Sequence, residues 1–258
     1  MKKEQDNIIL GVDIGGTGIK GGLIDINTGE MITERHRLAT PKPATPEAVA
    51  ATFTELVDHF NWKGIVGVGF PAIVRHGVAL SAANIDDSWI GTNIEELLSE
   101  ASGCIVHVVN DADAAGVAAM FYGAGKGEMG VVLMLTVGTG IGSALFIDGH
   151  LVPNSELGHL YMRNEKEVVE KQVSKAARKA EGKSWREWGK GFNKYLLHIQ
   201  RLFSPDLVII GGGGSKQFEE YADAITVNFR VKPAGYLNKA GAVGAAHYAW
   251  ELEQAKAK

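Results

Sequence analysis

Two copies of the four-residue sequence GTGI occur in the chain, at 16–19 and at 138–141. A glycine-rich turn leaves its backbone N–H groups unshielded by side chains, so it can bind an anion such as a phosphate. Two such turns could together hold a chain of phosphates. A tight hairpin turn would have the same composition, so the residue types alone leave both interpretations open.

Asp13 and Lys20 flank the first of these turns. A carboxylate at a strand end beside a phosphate-binding loop can hold Mg²⁺ through water, and a lysine supplies a point charge to a phosphoryl oxygen. Phosphoryl transfer needs both, because its catalysis is mostly positioning and charge neutralisation. Taken alone, Lys20 would more often be an ordinary exposed charge.

Asn110 and Asp111 precede a predicted helix that starts near Ala112. Either side chain could simply cap this helix. A carboxylate at a helix N-terminus is also stabilised as the anion, and it is then ready to accept a hydrogen bond from a hydroxyl group that will lose its proton. Capping and proton acceptance are compatible, so both roles stay open.

Polar and glycine-rich groups follow in the second half of the chain. The sequence ELGH at 156–159 puts Glu156 and His159 three residues apart, where they could share one face of a turn. Several convergent polar groups can bind sugar hydroxyls, although a single histidine on such a stretch is more often structural. Four consecutive glycines at 211–214 lie at a predicted strand-to-helix turn. They could contact a nucleoside or permit close packing.

Two common nucleotide-binding motifs are disfavoured by the sequence around the first turn. GGTGIKGG at 15–22 loosely resembles a dinucleotide-binding fingerprint, but that motif opens a helix. Here Ile19–Ile26 reads as a strand instead. The chain contains no GxxxxGK[ST] sequence, which excludes a P-loop.

The elements that position these groups follow from apolar periodicity and turn signals. A helix is predicted from Thr45-Pro46-Glu47, with an N-cap residue type, a proline at the first position and an early acid. The predicted strands are Ile8–Val12, Ile19–Ile26, Met31–Leu38, Ile65–Phe70, Ile105–Val109, Leu207–Ile210 and a strand near Ile225–Val231. Further helices are predicted near Ile94–Glu100, Ala112–Tyr122, 165–181, 185–203 and from about Ala242.

The strand-turn-strand pattern of the N-terminus begins again at Val131. Shifting the first copy by 122 residues places GTGIKGGLIDINTGEMI over GTGIGSALFIDGHLV, with two residues deleted in the second copy at the turn that follows. This is a duplication of one unit and not a solenoid, because two units do not make a stacking array. It predicts two similar α/β lobes around a cleft, with an N-terminal lobe at 1–109 and a C-terminal lobe at 110–241. The last helix, at about 242–258, is expected to pack back on the N-terminal lobe.

Composition narrows the classes of partner. The chain has 258 residues, 45% of them hydrophobic, and a formal net charge of −4. This charge gives no general attraction to nucleic acid or to an anionic membrane surface. Apolar runs such as VVLML are far shorter than the roughly 20 residues of a membrane span. The chain has one cysteine, Cys104, so it cannot form an internal disulfide. From these features we expect a cytoplasmic protein.

Seven motifs in order resemble those of the ROK family of sugar kinases. They are DIGGTGIKGG, GVGFPAIV, SAANIDDSW, VNDADAAG, LTVGTGIGSA, ELGH and IIGGGGSK, and the resemblance spans roughly 8–250. It implies the actin-like ATPase architecture of two ribonuclease-H-like lobes, in agreement with the duplication. Within the family the motifs are most similar to the branch that uses inorganic polyphosphate.

The resemblance also implies roles for particular residues. Asp111 corresponds to the catalytic base that takes the proton from the sugar 6-hydroxyl. The sugar-binding positions are Asn84, Asn110, Asp111, Glu156 and His159. The donor-binding positions are Asp13, Gly15, Gly16, Thr17, Lys20, Thr136, Gly138, Thr139, Gly140, Gly211, Gly212, Gly213 and Gly214, with Asp13 holding Mg²⁺ through water.

One departure from the family pattern concerns metal. Many members follow their Gly-His pair with a cysteine-rich zinc cluster, whereas here no cysteine lies near His159, so we expect no zinc site. In its place lies a segment, 165–194, with nine Lys and Arg residues against five Glu. A solvated helix face is the usual explanation of such a run, but a polyphosphate chain would also need cations.

The sequence therefore predicts a Mg²⁺-dependent kinase that moves a phosphoryl group from inorganic polyphosphate, ATP or both to the 6-hydroxyl of glucose. The alternatives are an ATP-dependent hexokinase of the family for another hexose, such as mannose or an N-acetylated sugar, and a non-catalytic sugar-responsive protein. A transcriptional regulator would carry a helix-turn-helix domain before the first motif, where only twelve residues precede Asp13. Such enzymes are commonly homodimers, and we expect no nucleic-acid or membrane partner.

Overall fold

The computed structural model describes residues 7–82, 85–235 and 239–256 of a mixed α/β chain. The strands are β1 (Ile8–Gly15), β2 (Gly18–Asp25), β3 (Glu30–Met31), β4 (His36–Leu38), β5 (Ile65–Phe70), β6 (Val74–Arg75), β7 (Val78–Ala79), β8 (Ile105–Asn110), β9 (Val131–Val137), β10 (Ile141–Ile147), β11 (His150–Val152), β12 (Leu207–Gly211) and β13 (Arg230–Pro233). The helices are α1 (Pro46–His59), α2 (Ile94–Ser102), α3 (Asp111–Tyr122), α4 (Glu170–Val173), α5 (Lys175–Ala180), α6 (Trp185–Phe203), α7 (Gly212–Ser215), α8 (Phe218–Tyr221) and α9 (Ala240–Lys256). Among these described helices, none is long and apolar enough to cross a membrane.

The chain divides into two compact units. Unit 1 comprises the described residues up to Ala118 and those from 239 onwards, and unit 2 comprises the described residues between them. The sheet of unit 1 has the order β3-β2-β1-β5-β8, with β4 also paired to β2. The sheet of unit 2 has the order β11-β10-β9-β12-β13. In each sheet an antiparallel hairpin, β1-β2 or β9-β10, is extended by parallel strands on the side of its first strand.

Helix α1 begins where its local signals predict. The Thr45 hydroxyl accepts a hydrogen bond from the backbone N–H of Ala48 at 3.4 Å, and Pro46 occupies the first turn. Its apolar stripe, which includes Phe53 and Leu56, is fully buried in the core of unit 1. The predicted capping and periodicity of this helix are confirmed.

Helix α9 packs against the sheet of unit 1 through positions that lack side chains. A Cβ on Gly11 of β1 or on Gly67 of β5 would collide with a backbone carbonyl group of α9. A Cβ on Gly244 of α9 would collide with the carbonyl oxygen of Ala114 in α3. This close approach brings Gly241, in the first turn of α9, beside Asp13 of β1. The backbone contacts of α9 therefore help to position a candidate site residue.

We expect Gly244→Ala to destabilise unit 1 by about 3 kcal/mol, since the new methyl group meets a backbone oxygen that cannot move alone. Helix propensity would predict the opposite sign, a stabilisation of about 1 kcal/mol. The matched control is Gly191→Ala in α6, where the new Cβ would lie 3.5 Å from Val173 Cγ1, an ordinary contact. Urea unfolding of both variants is the measurement. A Gly244→Ala variant as stable as the wild type would contradict the packing argument.

Three predicted elements differ from the structure, and hydrogen bonds between side chains and the backbone accompany each difference. The predicted strand Met31–Leu38 is divided into β3 and β4, because the Thr33 hydroxyl accepts the Leu23 backbone N–H at 3.1 Å in place of a strand carbonyl. The strand expected near Ile225–Val231 begins only at Arg230. Before it, side chains of α6 bind the backbone: Asn193 accepts from the Thr226 N–H and Gln200 from the Asn228 N–H.

The third difference lies in the basic segment, where the predicted helix 165–181 is two short helices, α4 and α5. Ser174 interrupts them with an extended backbone, and its hydroxyl accepts a hydrogen bond from the Ala177 N–H at 3.1 Å. A serine that caps a new helix ends the preceding one. Glu170 is the first residue of α4, before the break, and Lys175 is the first residue of α5, after it.

Candidate active site

The first glycine turn closes the β1-β2 hairpin. Gly15 pairs with Gly18, and Gly16 and Thr17 between them are exposed. Two carbonyl oxygens at this turn are already engaged: that of Gly15 accepts from the Thr40 hydroxyl at 2.5 Å, and that of Thr17 accepts from Arg37 Nη2 at 2.7 Å. A carbonyl oxygen that accepts a hydrogen bond carries less unscreened negative charge, so it repels a nearby anion less. This geometry is therefore compatible with a phosphate at the turn.

Asp13 and Lys20 face each other across the same hairpin. Asp13 Oδ2 lies 3.3 Å from Lys20 Nζ, and both side chains are about 30% exposed. The carboxylate also borders Gly241, where a Cβ would lie 3.1 Å from Asp13 Cγ. Over the described residues, no group of three or more His, Cys, Asp and Glu side chains could hold a metal ion. One partly exposed carboxylate fits Mg²⁺, which commonly uses one or two carboxylates, with water and substrate phosphates completing its shell.

Asn110 caps helix α3. Its Oδ1 accepts hydrogen bonds from the backbone N–H groups of Ala112 at 2.8 Å and Asp113 at 3.2 Å, while its Nδ2 donates to the Ala72 carbonyl at 2.9 Å. The side chain is buried, whereas that of Asp111, the first residue of α3, is exposed. The capping role therefore belongs to Asn110, and the cap fixes the backbone from which Asp111 projects. Asn84 lies outside the described residues.

The second glycine turn closes the β9-β10 hairpin in unit 2. Val137 pairs with Ile141, and the Gly138 N–H donates to the Gly140 carbonyl at 3.0 Å. Thr139 at the tip is exposed, and Thr136 lies in β9 just before the turn. Among the described residues other than its chain neighbours, none has an atom within 4 Å of a Cβ built on Gly138. The face of this turn at Gly138 is therefore open.

Glu156 and His159 form a polar cluster with a third residue, Glu170. Glu156 Oε2 lies 3.5 Å from His159 Nδ1, and Glu170 Oε1 lies 3.9 Å from His159 Nε2. Glu170 also accepts the Ile141 backbone N–H at 3.2 Å, directly after the second glycine turn. The Ser143 hydroxyl holds the backbone between Glu156 and His159, accepting from the Leu157 N–H at 2.9 Å.

Burial is the largest influence on the Glu156 carboxyl and raises its pKa, while His159 lowers it and Glu170 raises it further. The net pKa lies above the ordinary value of 4.5. A partly desolvated carboxylate beside an imidazole offers acceptors and a donor to ligand hydroxyls. The sequence did not single out Glu170, which counted there only as one acid of the basic segment. Glu170 is 29 residues from Ile141 along the chain, and no local pattern in the sequence indicates that the two residues meet.

The glycine run 211–214 serves mainly close packing. Gly212 has a positive φ of 65° and bridges Val137, at the end of β9. Side chains on Gly211 and Gly214 would collide with Met134 and Val137, respectively. Gly213 differs, because a Cβ there would meet the end of the Lys175 side chain, 2.9 Å from Nζ. The packing alternative thus holds at three of the four positions.

Comparisons with known proteins place the chain among known families and structures. The ROK family profile matches residues 9–169. Polyphosphate glucokinase of Mycobacterium tuberculosis is 46% identical over 92% of this chain and 89% of its own length, and that of Mycobacterium leprae is 44% identical over 92% and 73%. The crystal structure of inorganic polyphosphate/ATP-glucomannokinase from Arthrobacter sp. strain KM superposes with a TM-score of 0.86 at 46% identity, covering 95% of this chain and 99% of that one.

A more distant structure shares the fold. It is a ROK family glucokinase from Streptomyces griseus, solved with glucose and AMPPNP, which has a TM-score of 0.80 at 24% identity and covers 95% of this chain and 99% of that one. The α/β, actin-like ATPase fold expected from the sequence is confirmed. From its profile match, its close relatives and its fold, the chain belongs to the ROK family.

Proposed function

We propose that the protein transfers a phosphoryl group from inorganic polyphosphate, and also from ATP, to the 6-hydroxyl of glucose, giving glucose 6-phosphate. The observation that carries this proposal is the 46% identity to polyphosphate glucokinases over 92% of the chain. The local geometry of each unit supports the same chemistry, because each has a glycine turn suited to phosphate, and unit 2 also has the polar pair Glu156 and His159 suited to sugar hydroxyls.

In the proposed reaction the oxygen of the 6-hydroxyl attacks the terminal phosphorus of the donor. Asp111 accepts the proton of that hydroxyl, and the bond from phosphorus to the bridging oxygen breaks. The leaving group is ADP or a polyphosphate shortened by one unit. Asp111 suits the role because it is exposed and because the Asn110 cap fixes its backbone. A helix N-terminus stabilises the carboxylate before the proton arrives.

The remaining polar residues bind the substrates in this proposal. Sugar hydroxyls are bound by Asn84, Asn110, Asp111, Glu156 and His159, and Glu170 lies 3.9 Å from the His159 ring. Donor phosphates are bound by the two glycine turns with Thr17, Lys20, Thr136 and Thr139, and the glycine run 211–214 lies toward the nucleoside of ATP. Asp13 would hold Mg²⁺ through water, and the ion would neutralise phosphate charge.

We expect the KM for glucose to rise as the pH falls through the pKa of Glu156. Only the carboxylate is a full acceptor for sugar hydroxyls, and burial places its pKa above 4.5. The part of glucose affinity that Glu156 supplies is therefore present above this pKa and lost below it. In Glu156→Gln the KM should be higher and should no longer change over this pH range. If the KM of Glu156→Gln for glucose still rose at low pH as it does in the wild type, Glu156 would not be the source of the pH dependence.

Three further properties belong to the proposal. Mg²⁺ is the required ion, the protein is a homodimer, and it works in the cytoplasm, without nucleic-acid or membrane partners. Mannose is the first alternative acceptor to consider, because the Arthrobacter relative is a glucomannokinase. Light scattering measures the mass of the particle, and a monomer at assay concentrations would contradict the dimer.

The experiment that tests the function uses nucleotide-free protein with one donor and one sugar at a time. Polyphosphate and ATP are each combined with glucose, mannose and N-acetylglucosamine, with and without Mg²⁺, and sugar 6-phosphate is quantified. We expect glucose 6-phosphate from both donors, and only with Mg²⁺. Transfer from ATP alone would favour the ATP-dependent hexokinase. Binding of glucose without transfer from either donor would favour the non-catalytic alternative.

A further inference from the structure

One lysine of the basic segment lies beside the second glycine turn. Lys175 is the first residue of α5, and the N–H of the next residue, Ala176, donates to the Gly138 carbonyl at 3.3 Å. The Lys175 ammonium lies over Gly213, at 2.9 Å from the position of a Cβ. Because Gly212 bridges Val137, this part of the glycine run is next to the turn that begins at Gly138. All these residues belong to unit 2.

The other cations of the segment are placed differently. The Arg178 guanidinium stacks on the Trp185 ring at 4.2 Å and donates to the Lys183 carbonyl at 2.5 Å, and Lys183 pairs with Glu181. The exposed cations are Lys166, Lys171, Lys179, Lys183, Arg186, Lys190 and Lys194. Lys175 is half-buried, lies at the glycine residues and forms no ion pair with any residue that the structure describes. An ammonium group that lies over backbone glycines beside a candidate phosphate turn, without a counter-charge among the described residues, points to an anionic ligand.

We propose that Lys175 binds the phosphates of inorganic polyphosphate that lie beyond those it shares with ATP, and that it thereby favours polyphosphate over ATP as the donor. This inference rests on the proposed function. The turn at 138–140 would hold the phosphates that both donors possess. Farther along, polyphosphate continues with one negative charge on each unit, whereas ATP continues with a neutral nucleoside. A cation over the glycine run therefore attracts the first donor more strongly than the second.

The test compares Lys175→Met with Lys175→Arg and with a control, Lys190→Met, which removes an exposed charge of the same segment. For each variant the KM is measured for polyphosphate of defined length, for ATP and for glucose. In Lys175→Met we expect the KM for polyphosphate to rise about 10-fold, the effect of one charge-assisted contact. The KM for ATP should rise less than about 3-fold, and the KM for glucose should not change. Lys175→Arg should retain most of the affinity for polyphosphate, because it keeps the positive charge. Lys190→Met should have wild-type KM values for all three substrates.

Equal increases in the KM for polyphosphate and for ATP would overturn the specificity role, since Lys175 would then contact phosphates common to both donors. A polyphosphate KM in Lys175→Met equal to that of Lys190→Met would overturn the binding role altogether. Should Lys175→Met unfold, the same comparison between Lys175→Arg and Lys175→Gln decides between these outcomes.

Failure of the proposed function has a different signature. Binding of polyphosphate to each variant is measured by calorimetry without glucose. If the wild type transfers nothing to glucose, the proposed function is contradicted, yet a Lys175-dependent loss of polyphosphate binding would still support the site. If the wild type transfers phosphate and Lys175→Met binds polyphosphate normally, only the inference about Lys175 fails.

Discussion

Asp111→Asn should lower kcat by at least about 100-fold with either donor, while the affinity for glucose changes little. Asparagine keeps the shape and much of the hydrogen bonding of the side chain but cannot take the proton of the 6-hydroxyl. The side chain is exposed at the start of α3, and the Asn110 cap that holds this turn is untouched, so the variant should fold. Steady-state kinetics and glucose calorimetry are the measurements.

The matched control for this variant is Glu47→Gln. Glu47 is also an exposed acid in the first turn of a helix, α1. Both substitutions remove the favourable interaction of a carboxylate with a helix N-terminus, which is worth about 0.3–1 kcal/mol. We expect both to change stability alike and only Asp111→Asn to lose activity. An Asp111→Asn enzyme within a few-fold of wild-type kcat would remove Asp111 from the role of base.

Gly138→Val should raise the KM for polyphosphate and for ATP by at least about 10-fold and nearly spare glucose binding. The substitution puts a branched side chain where the backbone N–H groups of the second turn would approach an anion. A loss of stability would otherwise be the simpler expectation, since glycine turns often need a positive φ. Gly138 has no such φ, and a Cβ there meets no described residue beyond its chain neighbours within 4 Å, so the fold should be retained.

Gly235→Val is the control, because Gly235 lies outside both glycine turns and a Cβ on it also meets no atom within 4 Å in the part of the chain that the structure describes, its chain neighbours aside. Melting temperatures of the two variants and the wild type should agree. A folded Gly138→Val protein with a normal KM for both donors would show that this turn is only a hairpin. If every ligand weakened together with a lower melting temperature, the effect would be structural instead.

Local signals explain what the sequence predicted well. The Thr45-Pro46 start of α1 and the hairpins at both GTGI copies depend on neighbouring residues, and all three are present in the structure. The helix that follows Asn110 begins within one residue of its predicted start, because an asparagine cap is itself a local feature.

Tertiary contacts explain the rest. The strand near Ile225–Val231 begins late because Asn193 and Gln200, from a distant helix, take the backbone N–H groups that a ladder would use. Glu170 is 29 residues from Ile141 along the chain, yet it accepts the Ile141 backbone N–H at 3.2 Å, directly after the second glycine turn. Periodicity cannot reveal either contact, since both depend on residues that meet only after folding.

The most direct test of the central claim follows the phosphorus itself. Nucleotide-free protein, glucose labelled with ¹³C at carbon 6, Mg²⁺ and polyphosphate are mixed, and ³¹P and ¹³C spectra are recorded over time. We expect a phosphate ester signal coupled to carbon 6 that grows as polyphosphate shortens. Release of orthophosphate without any ester on glucose, or no change in the polyphosphate at all, would contradict the proposed transfer.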